Sequence, residues 1–293
     1  MLDLLQSISD GVLYGATYAL IGIGFTLVFG VMHKINMSYA AASVGGAYAG
    51  LLVVKAVAAS APPWLIFLGS VLAGGMLGWV VYVACFHFIP LANPLATLMS
   101  TVGMLLLIDE VIVHGTDGMP LGFPALFDDV MIRFGEFTLR GDLLLVFGIS
   151  VLGMVGLLLL LYRTRLGLAT RAVSQQPVAA QLCGIRLVRV NALTFVITGL
   201  LGGLAGAMIG ASVGTLSPLL TTPLTVKGLI VTVIGGLGSI PGAIIAGLLV
   251  GGLENVFQLY RGVTERDLYV MLLLFVFLVF RPGGLFAAKT GRD

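Results

Sequence analysis

Ionisable residues are rare in the apolar stretches of this sequence, and those that occur there are the first candidates for a function. They are Lys55, the pair Asp109–Glu110, Lys227 and Glu254. A charged side chain is costly in hydrocarbon and usually marks a transport path or a proton relay. Lys55 and Lys227 are expected to reach a membrane interface with their long side chains, and Asp109–Glu110 fall near the end of their stretch. Glu254 lies well inside an apolar helix, where it is either a pathway group or the outer mouth of that helix.

Catalytic groupings are missing from the sequence pattern. Three histidines are scattered along the chain: His33, His87 and His114. Neither cysteine has a second metal ligand or a base at a useful spacing. A near match to a phosphate-binding loop, Gly283–Thr290, lacks the preceding strand and following helix that direct backbone amides to a phosphate. We therefore predict no catalytic residue, metal or cofactor in this chain, so that any ATP hydrolysis that drives it takes place on another chain.

The composition indicates that membrane-spanning helices position these ionisable residues. Hydrophobic residues make up 59% of the 293 residues and charged residues only 10%, with a mean hydropathy of +1.11. An ordinary soluble domain has about 25% charged residues, so the expected solvent is the bilayer. Runs such as Leu143–Leu161 are apolar on every face, which favours helices over the alternating pattern of a β-barrel. We predict an all-α polytopic bundle of eight or nine transmembrane helices in one domain, residues 1–293.

Nine stretches are candidates for membrane spans by length and hydropathy. They are Gly11–Met32, Tyr39–Ala59, Trp64–Phe86, Pro94–His114, Asp142–Tyr162, Asn191–Val213, the short Thr225–Gly236, Ile240–Gln258 and Asp267–Phe280. The first follows Asp3 and Asp10, where a signal peptide would carry positive charge. It is therefore predicted to be a retained helix.

The distribution of charge predicts the orientation of the bundle. The loop Arg163–Asn191 contains five arginines and no acidic residue, whereas the preceding loop, Gly115–Gly141, contains four acidic residues and two arginines. Cytoplasmic loops are enriched in lysine and arginine. The arginine loop, His33–Lys34 and the basic carboxyl-terminal tail are therefore predicted to be cytoplasmic, and the amino terminus to be outside.

Two polar segments stand out between the apolar stretches. Within residues 163–191, the segment Thr170–Ile185 predicts a short amphipathic helix with small residues on one face, ended by Gly184. Such a helix on a rigid bundle can bind in a groove of a partner protein, or it is only a connector on the membrane surface. The second segment, Gly235–Gly242, cannot continue a regular helix. It is either a helix break that lines a pathway or a short cytoplasmic turn.

These segments carry a resemblance to a known family. The sequence resembles the permease subunits of branched-chain amino acid ABC transporters, the LivH-like proteins. The matching residues are Arg171-Ala172, Ala180 and Gly184-Ile185 in the arginine loop, Gly15 to Gly24, Gly30-Val31 and Ile35-Asn36 near the amino terminus, Gly235 to Ala243 with Gly247 and Glu254 in the carboxyl half, and Arg281 to Phe286 at the end.

The resemblance implies a membrane protein of the bacterial inner (plasma) membrane that works as an importer. It implies a homologous, LivM-like second permease, two cytoplasmic ATPase subunits that bind ATP and Mg, and a periplasmic binding protein that delivers leucine, isoleucine or valine. No nucleic acid is expected as a partner. The helix in the arginine loop would be the coupling helix to the ATPases, with Arg171, Ala172, Ala180, Gly184 and Ile185 as its contact residues.

Pathway residues are expected mainly at the suspected breaks between helices. The candidates there are Asn36, Ser38, Tyr39, Gly236 and Ser239, and the further candidate Glu254 lies inside a helix. This sequence has Gln175–Gln176 and Met37-Ser38-Tyr39 where relatives carry other residues, so urea, short amides and aromatic acids remain alternative substrates. A stand-alone secondary transporter and an intramembrane enzyme are the alternatives from other functional classes.

Overall fold

The computed structural model describes residues 2–57, 62–89, 94–125, 131–134, 137–281 and 283–286. The helices in these ranges are α1 Leu2–Met32, α2 Tyr39–Val57, α3 Pro63–Tyr82, α4 Pro94–Thr116, α5 Gly141–Arg163, α6 Arg165–Gln175, α7 Pro177–Leu182, α8 Leu187–Val213, α9 Thr221–Gly235, α10 Ile240–Arg261 and α11 Val263–Phe280. A π-helical turn, Val83–His87, extends α3, and a 3₁₀ turn, Pro218–Leu220, precedes α9. Several residues used in the sequence argument lie outside the described ranges: Ala59, Asp128, Asp129, Glu136, Pro282, Lys289 and Arg292.

The prediction of a polytopic helical membrane protein is confirmed. Eight helices of the described residues are long and apolar enough to cross a membrane. The largest differences from the expected spans are at α1, which begins at Leu2, and at the seventh span, which runs from Pro218 to Gly235. The last helix, α11, has 18 residues but begins close to three charged residues, Glu265 to Asp267.

Two small antiparallel ladders were not predicted. β1 (Leu121–Gly122) pairs with β4 (Thr215–Leu216), and β2 (Met131–Phe134) pairs with β3 (Phe137–Arg140). All four strands lie in connections between the long helices. They do not change the helical character of the bundle.

Small residues let the long helices pack closely. Where α1 crosses α10, a Cβ added to Gly15 would lie 2.8 Å from the carbonyl oxygen of Gly247. Where α3 crosses α8, a Cβ added to Gly74 would lie 2.6 Å from the Cα of Gly203. Apolar helices in lipid associate through such close backbone packing and not through hydrophobicity. The glycines therefore determine which helices are neighbours.

The bundle has two ends of different composition. At one end the Gln6 amide donates to the Thr138 carbonyl and hydroxyl, next to Asp142 in the first turn of α5; we call this the acidic end. At the other end, which we call the arginine end, the end of α1, the second half of α6 and the turn between α9 and α10 surround a cavity. The backbone amides of Leu285 and Phe286 donate there to the carbonyls of Ile234 and Gly235, so the carboxyl-terminal segment closes the end of α9.

Candidate functional site

The arginine loop forms a helical hairpin, α6 and α7, at the arginine end. Thr164 begins it, because its hydroxyl accepts a hydrogen bond from the Gly167 amide as an N-cap. The hairpin ends in a Schellman motif, in which the Ile185 amide donates to the Ala180 carbonyl and the Gly184 amide to the Gln181 carbonyl. Gly184 has a φ of +84°, as predicted for a glycine that ends a helix.

The single helix predicted for Thr170–Ile185 is wrong in one respect. The structure has two helices that meet at Gln176 and Pro177. Proline has no amide hydrogen to continue α6 and forces the preceding residue into extended backbone. Gln176 has φ −149° and ψ 91°, as this restriction requires. Pro177 instead becomes the first residue of α7, where a missing amide hydrogen costs nothing.

The exposed surface of the hairpin differs from the small-residue face expected from the sequence. Ala180 is 4% exposed and packs inward, so its methyl group is not available to a partner. In α7 the large exposed apolar side chains are Val178, at 68%, and Leu182, at 85%. Arg171 is exposed with its guanidinium 5.1 Å from the ring centroid of Tyr162. The remaining expected contact residues, Ala172 and Ile185, are half-buried against the core.

The glycine-rich segment Gly235–Gly242 is a turn between two antiparallel helices. Gly236 ends α9 with a φ of +100°, and the Ser239 hydroxyl accepts from the Gly242 amide to begin α10. Of the two alternatives from the sequence, the geometry is that of a tight turn at the arginine end. Ser239 also lies in the wall of the cavity at that end.

The other expected break, between α1 and α2, is held by buried polar contacts. The Asn36 carboxamide oxygen accepts from the amide and the hydroxyl of Ser38, and both side chains are buried. Tyr39 is buried between Gly24 and Gly202. None of these three residues is in the wall of the cavity at the arginine end. Their role in a pathway stays a prediction.

Glu254 is the centre of a buried ionic cluster that joins α1, α9, α10 and α11. The Lys227 ammonium lies 2.8 Å from Glu254 Oε1 and 3.0 Å from Asp267 Oδ1. Arg266 Nε lies 2.9 Å from the same oxygen of Glu254. The Tyr18 hydroxyl donates to Glu254 Oε1 at 3.1 Å. Lys227 is only 7% exposed, so the expectation that it reaches an interface is wrong.

The sequence contains a signal for this pairing. Lys227 is the only charged residue between Arg189 and Glu254. Lys227 and Glu254 are therefore opposite charges, far from other charges in the preceding sequence, on consecutive helices. Buried charges are normally paired, which is a reason to expect contact between them. Arg266 and Asp267 were not foreseen, because they lie at the start of a helix, where charges are ordinary.

The cavity at the arginine end has a volume of about 730 Å³. Residues from α1, α5, α6, the α9–α10 turn and the carboxyl-terminal segment line it. Glu254 is not in its wall. Among the described residues, no group of three His, Cys, Asp or Glu side chains could hold a metal ion.

The comparisons with known proteins agree with the helical architecture. The profile of the family described as branched-chain amino acid transport system / permease component matches residues 7–280. The permease protein BraD of a high-affinity branched-chain amino acid transport system from Pseudomonas aeruginosa is 30% identical, with 96% of this chain and 95% of that protein covered. The LivH permease protein of such a system from Salmonella typhimurium is 28% identical, with 96% and 94% covered.

A solved structure is also similar. It is described as a metal-chelate type ABC transporter in an inward-facing conformation, has 18% sequence identity and a TM-score of 0.49, and covers 94% of this chain and 85% of its own. That score is too low for the likeness to support an argument. The family profile and the BraD relative, together with eight helices that could cross a membrane, identify a multi-pass inner-membrane protein that is a transport component and not a catalytic one. The chain belongs to the family of permease components of branched-chain amino acid transport systems.

Proposed function

We propose that this chain is the membrane-spanning permease subunit of an ABC importer for branched-chain amino acids. Its relatives BraD and LivH are described as permease proteins of high-affinity branched-chain amino acid transport systems, and the similarity covers nearly their whole length. In the proposed assembly it pairs with a homologous, LivM-like permease and two cytoplasmic ATPase subunits. A periplasmic binding protein delivers leucine, isoleucine or valine. ATP and Mg bind to the ATPase subunits, so this chain supplies the path and the mechanical link.

The proposed orientation has the arginine end in the cytoplasm. The hairpin contributes Arg165 and Arg171 there, and its two flanks contribute Arg163 and Arg186. Lysine and arginine are enriched in cytoplasmic loops. With α11 as a ninth crossing, the amino terminus lies outside and the carboxyl terminus inside. Helix α11 has 18 residues. At the usual rise per residue a helix of that length spans about 27 Å, and most of its apolar side chains are exposed, as a lipid-facing or subunit-facing helix requires.

The observation that carries the coupling role is the exposed apolar surface of the hairpin. Val178 and Leu182 are large side chains exposed at the arginine end of the bundle, which in the proposed orientation lies outside the lipid tails. An N-cap at Thr164 and the Schellman motif at Gly184 fix both ends of the hairpin. Such a rigid, apolar projection fits a groove on a partner protein. We assign it to the ATPase subunits, which would move the hairpin as they close on ATP.

The hairpin transmits motion without any covalent step in this chain. It is joined to α5 through Thr164 and to α8 through the short segment of residues 183–186. α8 packs closely on α3 through Gly74 and Gly203, so displacement of the hairpin moves a pair of long helices and not one loop. Closely packed interfaces shift between discrete arrangements. This is what alternating access requires of the bundle.

The test compares two exposed leucines at opposite ends of the bundle. Leu182 in the hairpin is 85% exposed, and Leu219 at the acidic end is 82% exposed. In the complex with its ATPase subunits, Leu182→Asp is expected to reduce co-purified ATPase at least about tenfold, the size of a moderate interface hot spot. Uptake of radiolabelled leucine into ATP-loaded proteoliposomes is expected to fall in parallel.

The matched control, Leu219→Asp, adds the same charge and should leave the amount of co-purified ATPase unchanged. Equal ATPase retention by the two variants would contradict the coupling role of the hairpin. Leucine uptake that persists without ATPase subunits would contradict the importer assignment itself. The solute is tested separately by stimulation of ATPase activity with amino acids, urea, short amides and aromatic acids in the presence of the binding protein.

A further inference from the structure

We propose that the cavity at the arginine end is a binding site for an anionic amphiphile, a molecule with a carboxylate or phosphate and an apolar body. The cavity volume is about 730 Å³. Small-molecule sites usually have volumes of roughly 300–1,000 Å³, so the cavity is of a suitable size. Binding does not depend on the proposed function. Only its consequence for coupling does, because one wall of the cavity belongs to the hairpin.

The polar wall of the cavity is suited to an anion. Arg171 contributes a guanidinium, and Ser174 and Ser239 contribute hydroxyls. His33 lies at the end of α1 in the same wall. Arginine binds carboxylate and phosphate through a planar fork of donors. The Arg171 guanidinium lies over the ring of Tyr162, 5.1 Å from its centroid, and Tyr162 belongs to the same wall.

No carboxylate competes for this arginine in the part of the chain that the structure describes. Arg171 makes no ion pair there, and no aspartate or glutamate lines the cavity. The sequence extends this observation, since there is no acidic residue between Asp10 and Asp109 or between Asp142 and Glu254. These segments provide most of the wall. The local field is therefore positive and favours an anionic ligand over a cation or a neutral solute.

The remaining wall of the cavity is apolar and would contact the apolar body of the ligand. Its members come from α1, α5, α9, the α9–α10 turn and the carboxyl-terminal segment: Leu27, Phe29, Leu161, Val233, Leu237 and Phe286. A site with a few polar groups and a mainly apolar wall orients an amphiphile by its charged end. The shared chemistry fits both an acidic phospholipid and a soluble branched-chain carboxylate.

A ligand bound in this cavity would affect the coupling of the hairpin to the rest of the bundle, because α6 forms part of the cavity wall. Arg171 and Ser174 are on α6, whereas Gly238 and Ser239 belong to the α9–α10 turn across the cavity. A ligand that contacts both α6 and the α9–α10 turn would restrict the movement of the hairpin relative to that turn. It would thus favour the hairpin position seen here over any position in which the cavity is wider or closed.

The binding test uses the purified transporter complex and the fluorescent carboxylate 11-(dansylamino)undecanoic acid. Saturable fluorescence enhancement is expected, with affinity reduced about tenfold or more in Arg171→Gln, because a charge-assisted hydrogen bond is lost. Arg171→Lys, which keeps the charge, should recover most of the affinity. Ser174→Phe, which fills the cavity without removing charge, should also weaken binding. Arg189→Gln, an exposed arginine of α8 outside the cavity wall, is the matched control and should bind as the unmodified protein does.

Equal affinity in Arg171→Gln and Arg189→Gln would overturn the proposal, as would equal binding of the neutral amide of the probe. Competition then identifies the source of the ligand: displacement by phosphatidylglycerol in mixed micelles indicates lipid, and displacement by 4-methylpentanoate indicates a soluble carboxylate. Displacement by neither would also overturn the proposal. Failure of the coupling role would appear instead as normal ATPase retention in Leu182→Asp, a result that leaves probe binding unaffected.

Discussion

Removing the carboxylate of Glu254 is expected to destabilise the bundle more than removing the ammonium of Lys227. The Lys227 ammonium lies 2.8 Å from the Glu254 carboxylate, and Arg266 lies 2.9 Å from it. At an effective dielectric constant of about 20, each contact is worth about 6 kcal/mol of Coulomb energy before desolvation. Glu254 is thus the common partner of two cations. Desolvation of each ion costs several kcal/mol and offsets much of this energy.

The two single variants leave different residual charges. Glu254→Gln leaves Lys227 and Arg266 close together with only the half-exposed Asp267 to balance them, and should cost about 3–5 kcal/mol in the free energy of unfolding. Lys227→Met leaves Glu254 paired with Arg266 and removes the need to bury an ammonium, so about 2–4 kcal/mol is expected. The double variant, Lys227→Met with Glu254→Gln, removes both charges of this ion pair. It should lie within about 1–2 kcal/mol of the unmodified protein.

Unfolding in mixed micelles of rising dodecyl sulfate content, followed by circular dichroism, measures these differences. Lys55→Met is the matched control, because Lys55 is an exposed lysine in the last turn of α2. A change within about 0.5 kcal/mol is expected for this surface substitution. The reasoning would be refuted if Glu254→Gln behaved like this control. It would also be refuted if the double variant lost as much stability as the sum of the two single variants, since that result would mean that the charges do not interact.

Two glycine substitutions test the packing of the bundle. The Cβ of Gly15→Val would lie 2.8 Å from the Gly247 carbonyl, whereas a Cβ at Gly103 meets nothing within 4 Å. In the same assay Gly15→Val is expected to cost about 1–3 kcal/mol of unfolding free energy, and Gly103→Val about 1 kcal/mol or less; equal effects would contradict the packing argument. Gly284→Val combines a φ of +82° with a Cβ 2.5 Å from the Gly236 Cα. It should release the carboxyl-terminal segment and speed its cleavage by limited proteolysis, whereas an unchanged cleavage rate would show that the segment does not depend on this contact.

The membrane spans could be predicted from the sequence because hydropathy and length are local properties. Their exact ends could not, since the extra turns of α1 before Gly11 contain Asp3, Gln6 and Asp10, which lower the local hydropathy. A hydrogen bond from Gln6 to Thr138 holds that extension, and such a contact between distant segments is invisible to a sliding window. The break between α6 and α7 at Pro177 could have been predicted, because proline restricts its own backbone conformation and that of the preceding residue.

The surface of the hairpin shows what a linear pattern leaves out. Small residues on one helical face indicate close packing, but they do not say against what. In the structure Ala180 packs on the protein itself, whereas its neighbours Val178 and Leu182 are exposed. The family resemblance points to this segment, and the three-dimensional arrangement distinguishes its inner face from its outer face.

The ionic cluster at Glu254 and the cavity at the arginine end lie in different parts of the bundle and are expected to respond differently to motion of the hairpin. The ionic cluster joins α1, α9, α10 and α11 through Glu254, so these helices resist separation at that level. No comparable cluster occurs among the described residues at the arginine end, where a cavity of about 730 Å³ separates α6 from the α9–α10 turn. Closely packed helices move together, whereas helices on either side of a cavity can move relative to each other. Motion imposed on the hairpin should therefore first change the width of that cavity, while the helices joined at Glu254 move as one unit. A ligand in the cavity would stiffen the connection between the two parts.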